Sequence, residues 1–222
     1  MRLDKYLATA WLLSRKQSTR YIRRGGFFIN DQEVFDCRFP VQEWDILVYG
    51  EITHRILRNV TLRLWKPAWY VSSDYPVGIY PSYKEMLADC EYSHMVHVAW
   101  RLDVDTEWLL IVTSDGQLNH QIISPKWKKE KEYHVTVRDP LTQAQLDALE
   151  AGVVLDDGYQ TLPARAVQLA EHQLSLILTE WKFHQVKRML ETVWNLVTHL
   201  KRIRVWDWTL DGLAPWTWAL VE

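Results

Sequence analysis

The spacing of apolar residues predicts two helices at the start of the chain. The first helix carries its apolar residues at i, i+3, i+4 and i+7, namely at Leu3, Tyr6, Leu7 and Ala10. Ser14 and Gln17 have the spacing of a capping box for a second helix, which the pair Gly25-Gly26 would end. Apolar residues at 27–29 and 34–35 then indicate two strands joined by a turn. The opening therefore predicts a small module of helices and strands.

From residue 59 onward the pattern predicts mainly strands, separated by shorter helices. Apolar runs and alternation indicate strands at 60–64, 108–112, 132–137, 162–169, 174–179 and 197–205. Helical spacing indicates helices at 83–88, 117–123, 142–150 and 183–193. Residues 55–59 follow a glycine turn and precede the first of these strands. We therefore expect an α+β protein with a domain boundary between residues 58 and 59.

Charged residues crowd the approach to the apolar strand at 108–112. Arg101 and Asp103 lie just before it, in the sequence Arg-Leu-Asp. A carboxylate beside an arginine at the mouth of a buried strand suits catalysis, because a neighbouring cation keeps the acid ionised. On these residues alone, a loop cap or an ion pair between Asp103 and Arg101 is the commoner explanation.

Composition limits the classes of protein to which the chain can belong. The 222 residues carry a formal net charge of −2, which argues against a uniformly basic nucleic-acid binder. Nothing resembles a signal peptide, and no apolar run approaches membrane-spanning length. The two cysteines, Cys37 and Cys90, show no metal-ligand pattern, so we expect buried thiols in a reducing compartment, the cytoplasm.

The positive charge is concentrated at one end of the chain. Before residue 25 the only acid is Asp4, against seven basic residues: Arg2, Lys5, Arg15, Lys16, Arg20, Arg23 and Arg24. Lys16, Arg20 and Arg23 share one face of the second predicted helix. A charged helix face is usually just solvated, but this near absence of acids indicates contact with phosphate groups. A second basic patch, Lys126, Lys128, Lys129 and Lys131, surrounds Trp127; it suits RNA and equally a solvated loop.

Several segments together resemble the pseudouridine synthases. The sequence Arg-Leu-Asp-Val-Asp-Thr at 101–106 is similar to the catalytic motif of that family. Three further segments follow in the family's order: Ser124-Pro125-Lys126 leading to Glu130-Lys131-Glu132-Tyr133, then 183–189, then 209–215. The opening 1–7 resembles an S4 RNA-binding domain. The resemblance spans nearly the whole chain and is closest to the branch that modifies small-subunit ribosomal RNA.

The resemblance implies an architecture and a set of site residues. It implies an S4 domain over residues 1–58, followed by a catalytic domain over 59–222 with a mixed, mainly antiparallel sheet flanked by helices. Asp103 would be the essential carboxylate, Lys187 its basic partner, and Tyr133 the ring that stacks on uracil. The other substrate-binding residues would be Arg101, His184 and Arg188, and Asp105 is a competing carboxylate that we rank second. No metal or other cofactor is implied, and the implied partner is ribosomal RNA within small-subunit precursor particles, bound by a monomer.

Tryptophan is unusually frequent and glycine unusually rare. The chain has 13 Trp and 8 Gly, about half the glycine content expected from its usual frequency of roughly 7%. Nine Trp fall where the resembling family carries glycine: Trp11, Trp44, Trp69, Trp100, Trp108, Trp181, Trp194, Trp206 and Trp216. One hypothesis is that the source reads the codon UGA as glycine while the sequence was translated with UGA as tryptophan. The other is a genuine Trp-rich variant.

Three functional alternatives follow from these observations. The favoured one is an enzyme that isomerises a specific uridine, in 16S ribosomal RNA, with Asp103 as the essential carboxylate. The second is the same reaction on 23S ribosomal RNA, because closely similar enzymes act there. The third is a catalytically inactive RNA-binding ribosome-assembly factor, which genuine Trp residues at glycine positions would favour.

Overall fold

The computed structural model describes residues 1–123, 127 and 129–221. The predicted end of a helix at Ser124-Pro125, and the basic residues Lys126 and Lys128, lie outside the described residues. The chain forms two compact units: residues 1–60 with 89–97, and residues 61–88 with 98–221. Assigning 1–58 to RNA binding and 59–222 to catalysis stays a prediction.

The first unit consists of two helices and a four-stranded antiparallel sheet. The elements are α1 (Leu3–Ala10), α2 (Arg15–Arg24), β1 (Phe27–Ile29), β2 (Gln32–Glu33), β3 (Ile46–Tyr49) and β4 (Ile52–Arg55), with the strand order β2-β1-β3-β4. The apolar stripe of α1 is fully buried, as its spacing predicts. Ser14 and Gln17 form the predicted capping box, and Gly25 ends α2 with a positive φ of 87°. Cys37 and Cys90 are both buried free thiols.

The second unit is built on a larger mixed sheet. Its strands are β5 (Thr61–Lys66), β7 (Glu107–Thr113), β8 (Lys131–Val137), β9 (Arg165–Ala170), β10 (Gln173–Leu178), β11 (Val197–Val205), β12 (Trp208–Thr209) and β13 (Trp218–Leu220); β6 (His97–Val98) is a short additional strand. The order is β13-β5-β7-β11-β8-β10-β9, with β12 beside β11. Strands β7 and β11 are parallel, and the six other pairs whose register is described are antiparallel. The predicted α+β class with a mixed, mainly antiparallel sheet is confirmed.

Helices flank this sheet and complete its core. They are a 3₁₀ helix (Tyr83–Leu87), α3 (Gly116–Ile123), α4 (Gln143–Ala151) and α5 (Gln185–Thr192). Thr142 and Gln145 form a capping box at the start of α4. Val186, Met189 and Leu190 of α5 pack into a cluster with β8, β10 and β11. Helices α4 and α5 therefore share a core with β8, β10 and β11, whereas α3 packs through Ile122 into a separate cluster with β7.

Three details differ from the sequence-based expectations. The second strand of the first hairpin is β2 at Gln32–Glu33, not at 34–35, where Val34 is instead a buried loop residue. Strands β3 and β4 were not predicted, because each has only four residues and buries little of its length. Phe183 was expected on the apolar face of α5, but the helix begins two residues later and Phe183 is 65% exposed.

Positive φ values occur at an unexpected set of residues. Six tryptophans have φ between 54° and 82°: Trp44, Trp69, Trp108, Trp194, Trp206 and Trp216. The other non-glycine residues with positive φ are Leu12, Asn30, Asp31, His184 and Asp211. Asn, Asp and His tolerate this region, whereas it is a genuine outlier for a bulky residue.

Candidate active site

The register of the sheet places three polar residues side by side. Lys66 at the end of β5 and Arg202 on β11 both lie opposite residue 108 of β7, which runs between them. Arg202 lies opposite Tyr133 of β8. Lys66 and Arg202 are fully buried, and Tyr133 is 7% exposed. A buried polar row therefore crosses four adjacent strands, beneath the loop that carries Asp103.

The loop that contains Asp103 is held from below by Lys66. The Lys66 ammonium donates to the backbone carbonyls of Asp103, Val104 and Thr106, at 3.3, 3.2 and 2.6 Å between Nζ and O. Ser72 Oγ donates to the carbonyl of Leu102 and accepts from its N–H. These donors satisfy carbonyls that would otherwise be buried without partners. The loop therefore presents the Asp103 carboxylate on a fixed backbone.

Burial acts on the charge of Lys66. Burial lowers the pKa of Lys66 to about 7, although the carboxylates of Asp105, Asp103 and Glu107 favour its charged form. The nearby guanidinium of Arg202 lowers the pKa further. A buried ammonium persists only where several acceptors surround it, and here the loop carbonyls supply them.

Helix α5 brings two more side chains to Asp103. His184 lies immediately before the helix with φ of 50°, and its Nε2 is 3.6 Å from Oδ1 of Asp103. Lys187, on the first turn, places Nζ 3.6 Å from Oδ2 of the same carboxylate. The Asp103 side chain is 28% exposed and that of Lys187 is 22% exposed. The predicted pair of carboxylate and cation therefore exists in the structure as a half-buried contact.

Lys187 has a second and closer carboxylate partner. Its Nζ donates to both oxygens of Asp105, at 2.6 and 2.8 Å. Asp105 thus fixes the Lys187 ammonium. The Asp103 carboxylate lies 3.6 Å from the same ammonium, compared with 2.6 Å for Asp105.

Tyr133 provides an aromatic ring in a cavity beside Asp103. Burial raises the pKa of the Tyr133 hydroxyl, and the adjacent Arg202 guanidinium only partly opposes this effect. The phenol therefore stays protonated near neutral pH. Arg202 itself donates to the carbonyls of Leu109 and Trp100, at 3.0 and 3.2 Å. These hydrogen bonds fix the position of the Arg202 side chain beneath the site.

A small cavity lies beside Asp103, and Lys187 is not among the residues that line it. It has a volume of about 30 Å³, and its lining includes Asp103, Tyr133, His184, Trp100 and Trp181. Space of this size holds one or two water molecules, whereas small-molecule sites usually measure roughly 300–1,000 Å³. The indoles of Trp100 and Trp181 pack edge to face across it, with ring centroids 5.9 Å apart. The cavity has the expected chemical groups but not the volume for a nucleoside.

The remaining predicted substrate-binding residues are distributed unevenly. Arg101 is exposed and lines the rim of the cavity. Arg188 pairs with Asp156 and Asp157 and is not among the residues that line it. Lys131, expected in an exposed basic patch, is 2% exposed, and its Nζ lies 4.1 Å from the centre of the Trp100 ring. Burial lowers the pKa of Lys131 to about 8.

The basic residues of the first unit divide into two groups. Arg2 and Arg15 donate to Asp4, at 2.8 and 3.0 Å from its Oδ2. Burial would raise the pKa of Asp4, but the hydrogen bonds from Arg15 and Arg2 outweigh it and lower the pKa. The others lie exposed on the surface, at Lys5, Lys16, Arg20, Arg23 and Arg24. Arg15, Lys16, Arg20 and Arg23 line an open groove along α2.

Sequence reasoning missed the residues that support the site. Ser72 and Arg202 received no role there, and Lys66 was placed only in a proline turn that the resemblance assigns to the edge of the cleft, although all three hold the segment that carries Asp103. A lysine directly before Pro67, at the end of an apolar strand, was the available signal for Lys66. Arg202 carried a weaker signal as one of three basic residues on a strand that was expected to lie in the core.

Two features are absent from the described part of the chain. Among these residues, no group of three or more His, Cys, Asp or Glu side chains has the arrangement of a metal site. None of the helices described above combines the length and apolar character needed to cross a membrane.

Comparison with known proteins assigns the chain to a class and then to a family. No family model matches it. An uncharacterized RNA pseudouridine synthase of Aquifex aeolicus is 35% identical, over 98% of this chain and 91% of its own. Proteins named ribosomal small subunit pseudouridine synthase A, from Vibrio parahaemolyticus and Haemophilus influenzae, are each 36% identical over 95% of this chain and 91% of theirs.

A solved structure agrees with these relatives. The crystal structure of a pseudouridylate synthase is 31% identical, has a TM-score of 0.70, and covers 100% of this chain and 96% of that chain. The fold and the relatives define an RNA-modifying enzyme. The chain belongs to the RNA pseudouridine synthase family.

Proposed function

We propose that this pseudouridine synthase converts one specific uridine of small-subunit (16S) ribosomal RNA, with Asp103 as the essential carboxylate. The observation that carries the proposal is the meeting of Asp103, Lys187 and Tyr133 from three separate segments. Lys187 contacts the Asp103 carboxylate at 3.6 Å, and Tyr133 lines the same cavity as Asp103. The relatives named for the small ribosomal subunit support the choice of RNA.

The reaction breaks the bond between C1′ of the ribose and N1 of uracil and forms a bond from C1′ to C5. The C5 proton is released and N1 gains a proton, so no oxidant or reductant is consumed. The ionised Asp103 attacks the ribose or the base, and the bond it forms is broken again when the product forms. Lys187 supports this role because its ammonium lies 3.6 Å from the Asp103 carboxylate.

Tyr133 suits stacking better than proton abstraction. Its raised pKa keeps the hydroxyl protonated, so the phenolate needed for a base is scarce at neutral pH. Its ring borders the cavity, where a flipped uracil would gain back part of the energy of unstacking. His184, with its imidazole 3.6 Å from Asp103, would contact the same nucleotide from the α5 side.

The exposed cations of the first unit would bind the RNA backbone. Lys16, Arg20 and Arg23 lie along one open groove on α2, as in a surface that contacts phosphates. Such contacts position a protein on RNA without reading its sequence. The natural substrate would be a small-subunit precursor particle in the cytoplasm, and the enzyme would act as a monomer.

One observation favours the inactive alternative. The cavity beside Asp103 is too small for a nucleoside. An RNA-binding assembly factor that catalyses no reaction would not need a larger one. Tritium release from RNA labelled at C5 of uridine tests the two functions. We expect the protein from its native organism to release tritium from small-subunit precursor particles and none from 23S transcripts. Release from 23S RNA alone would show that the enzyme acts on large-subunit RNA. RNA binding without any tritium release would show that the protein is a catalytically inactive RNA-binding factor.

A further inference from the structure

Six tryptophans adopt a backbone conformation that glycine favours. Their φ values lie between 54° and 82°, in the left-handed region. A side chain with Cβ is disfavoured there, because Cβ approaches the following carbonyl oxygen. Glycine has no Cβ and enters this region freely. All six belong to the nine tryptophans for which the sequence analysis raised glycine as the alternative residue.

The turn at Trp216 has the geometry of a Pro-Gly turn. Thr217 N–H donates to the carbonyl of Ala214 at 3.3 Å, so Pro215 and Trp216 are the central residues. Trp216 has φ of 67°. A type II turn favours proline at the first central position and requires positive φ, hence glycine, at the second. The printed Pro-Trp therefore occupies a Pro-Gly turn.

The hairpin between β11 and β12 shows the same mismatch. Val205 pairs with Trp208, which leaves the two-residue loop Trp206-Asp207. Trp206 has φ of 54°, while Asp207 is not among the residues with positive φ. This combination matches a type II′ turn, which takes glycine at its first central position.

The C-terminal end of α5 also has a tryptophan at a position that favours glycine. Trp194 has φ of 63°, and the N–H of Asn195 returns to the carbonyl of Leu190 inside the helix. This is the helix-ending position where glycine is most common. The indole of Trp194 is 89% exposed, so no apolar contact offsets the strained backbone. Trp44, Trp69 and Trp216 are also more than half exposed.

The other tryptophans provide an internal control. Trp65, Trp127, Trp208 and Trp218 fall outside the nine positions, and none of them has positive φ. Trp65, Trp208 and Trp218 lie within strands, where an aromatic residue is ordinary. Positive φ therefore occurs at six of the nine tryptophans and at none of the other four, although Trp11, Trp100 and Trp181 lack it.

Two of the remaining three positions lie at the active site. Trp100, Arg101 and Trp181 line the 30 Å³ cavity beside Asp103, and the same three line a second cavity of about 280 Å³. The two indoles thus form the wall between these spaces. Glycine at both positions would join them into one pocket reaching from Asp103 to Val98, and would uncover the Lys131 ammonium that now lies against the Trp100 ring.

We infer that the natural chain carries glycine at these nine tryptophan positions, and that the space filled by Trp100 and Trp181 is the nucleotide pocket. A source that reads UGA as glycine would explain the nine glycines. This part of the inference does not depend on any activity. The second half rests on the proposed function, because it assigns the pocket to the uridine of the RNA substrate.

Peptide mapping of the protein from its native organism tests the first half. We expect glycine in every peptide that covers the nine positions, tryptophan at the other four, and UGA codons only at the nine. The intact mass should then be lower than that of the printed sequence by nine Trp-to-Gly differences. Tryptophan at these positions in the native protein would overturn the inference.

Thermal unfolding provides a matched test in the recombinant chain. Trp194→Gly and Trp216→Gly should each raise Tm by about 2–4 °C, because each relieves a left-handed residue with an exposed side chain. Trp208→Gly and Trp218→Gly, in strands with ordinary φ, should lower it. A fall in Tm for all four variants would contradict the assignment of glycine.

Binding of uridine 5′-monophosphate tests the pocket separately from catalysis. The comparison uses a chain with glycine at all nine positions and a second chain that keeps only Trp100 and Trp181. We expect NMR shifts on titration with the first chain, and at least a tenfold weaker response from the second. Equal binding by both would overturn the pocket, whereas tight binding without tritium release from RNA would contradict the catalytic proposal alone.

Discussion

Lys187 lies 3.6 Å from the carboxylate of Asp103, while its two shortest contacts go to another carboxylate, that of Asp105. The cation is therefore held close to Asp103 without forming a tight ion pair with it. An acid in such a pair would have to break strong hydrogen bonds before attacking a substrate. The arrangement leaves the oxygens of Asp103 accessible, because the hydrogen bonds of Lys187 go to Asp105.

This geometry predicts different effects for the two carboxylates. Asp105→Asn should lower kcat about tenfold, with little change in KM, because Lys187 loses its closest partner and its position varies. A double variant with Lys187→Met should be no worse than Lys187→Met alone, since both changes remove one interaction. Single-turnover rates measure both. Complete loss of activity in Asp105→Asn would make Asp105 the essential acid.

Lys66 should matter for both stability and activity. Lys66→Met keeps the length of the side chain but leaves the carbonyls of the Asp103 loop without a donor. The free energy of unfolding should fall by about 1–3 kcal/mol. The looser loop should also lower kcat. Lys5→Met, on the exposed face of α1, is the matched control and should change stability by less than about 0.5 kcal/mol. Urea unfolding compares them, and equal small effects would refute the support role.

Asp4 should contribute stability that disappears in acid. Because its pKa is lowered in the folded state, the contribution is present above the unfolded pKa and is lost as pH falls through the folded pKa. Asp4→Asn should therefore cost about 1–3 kcal/mol near neutral pH, through two weakened charge-assisted hydrogen bonds. The difference between Asp4→Asn and the parent should shrink as acid is added. A constant difference across this range, measured by denaturant unfolding, would contradict the linkage.

The groove on α2 should set the salt dependence of RNA binding. Lys16→Ala, Arg20→Ala and Arg23→Ala should each reduce the slope of log affinity against log salt by about 0.7–0.9, if each cation neutralises one phosphate. The rate at saturating RNA should not change. Arg165→Ala, an exposed cation of the other unit, is the control. An unchanged slope in the triple variant would exclude this face.

The regular elements could be predicted because their patterns are long and local. Strand β11 at Val197–Val205 and helix α1 follow their predicted positions closely. Strands β3 and β4 could not be predicted, because each has only four residues and too short a pattern of apolar positions. Their pairing is decided by the hairpin between them and by β1, which sequence spacing does not reveal.

The site was predictable only where chemistry appears in motifs. Asp103, Tyr133, His184 and Lys187 were named from their resemblance to a family, and the fold brings them together. Lys66 gave a weaker signal, its position directly before Pro67, because lysine usually indicates exposure. Its burial depends on a loop that begins far along the chain and folds over it. The close contact between Lys187 and Asp105 likewise depends on where α5 is placed, which no local pattern records.

The assignment of Asp103 is tested most directly by mapping pseudouridine in ribosomal RNA from cells that carry only Asp103→Asn. The account predicts that one small-subunit position reverts to uridine while the purified variant still binds the RNA. Retention of that pseudouridine in the variant cells would contradict it.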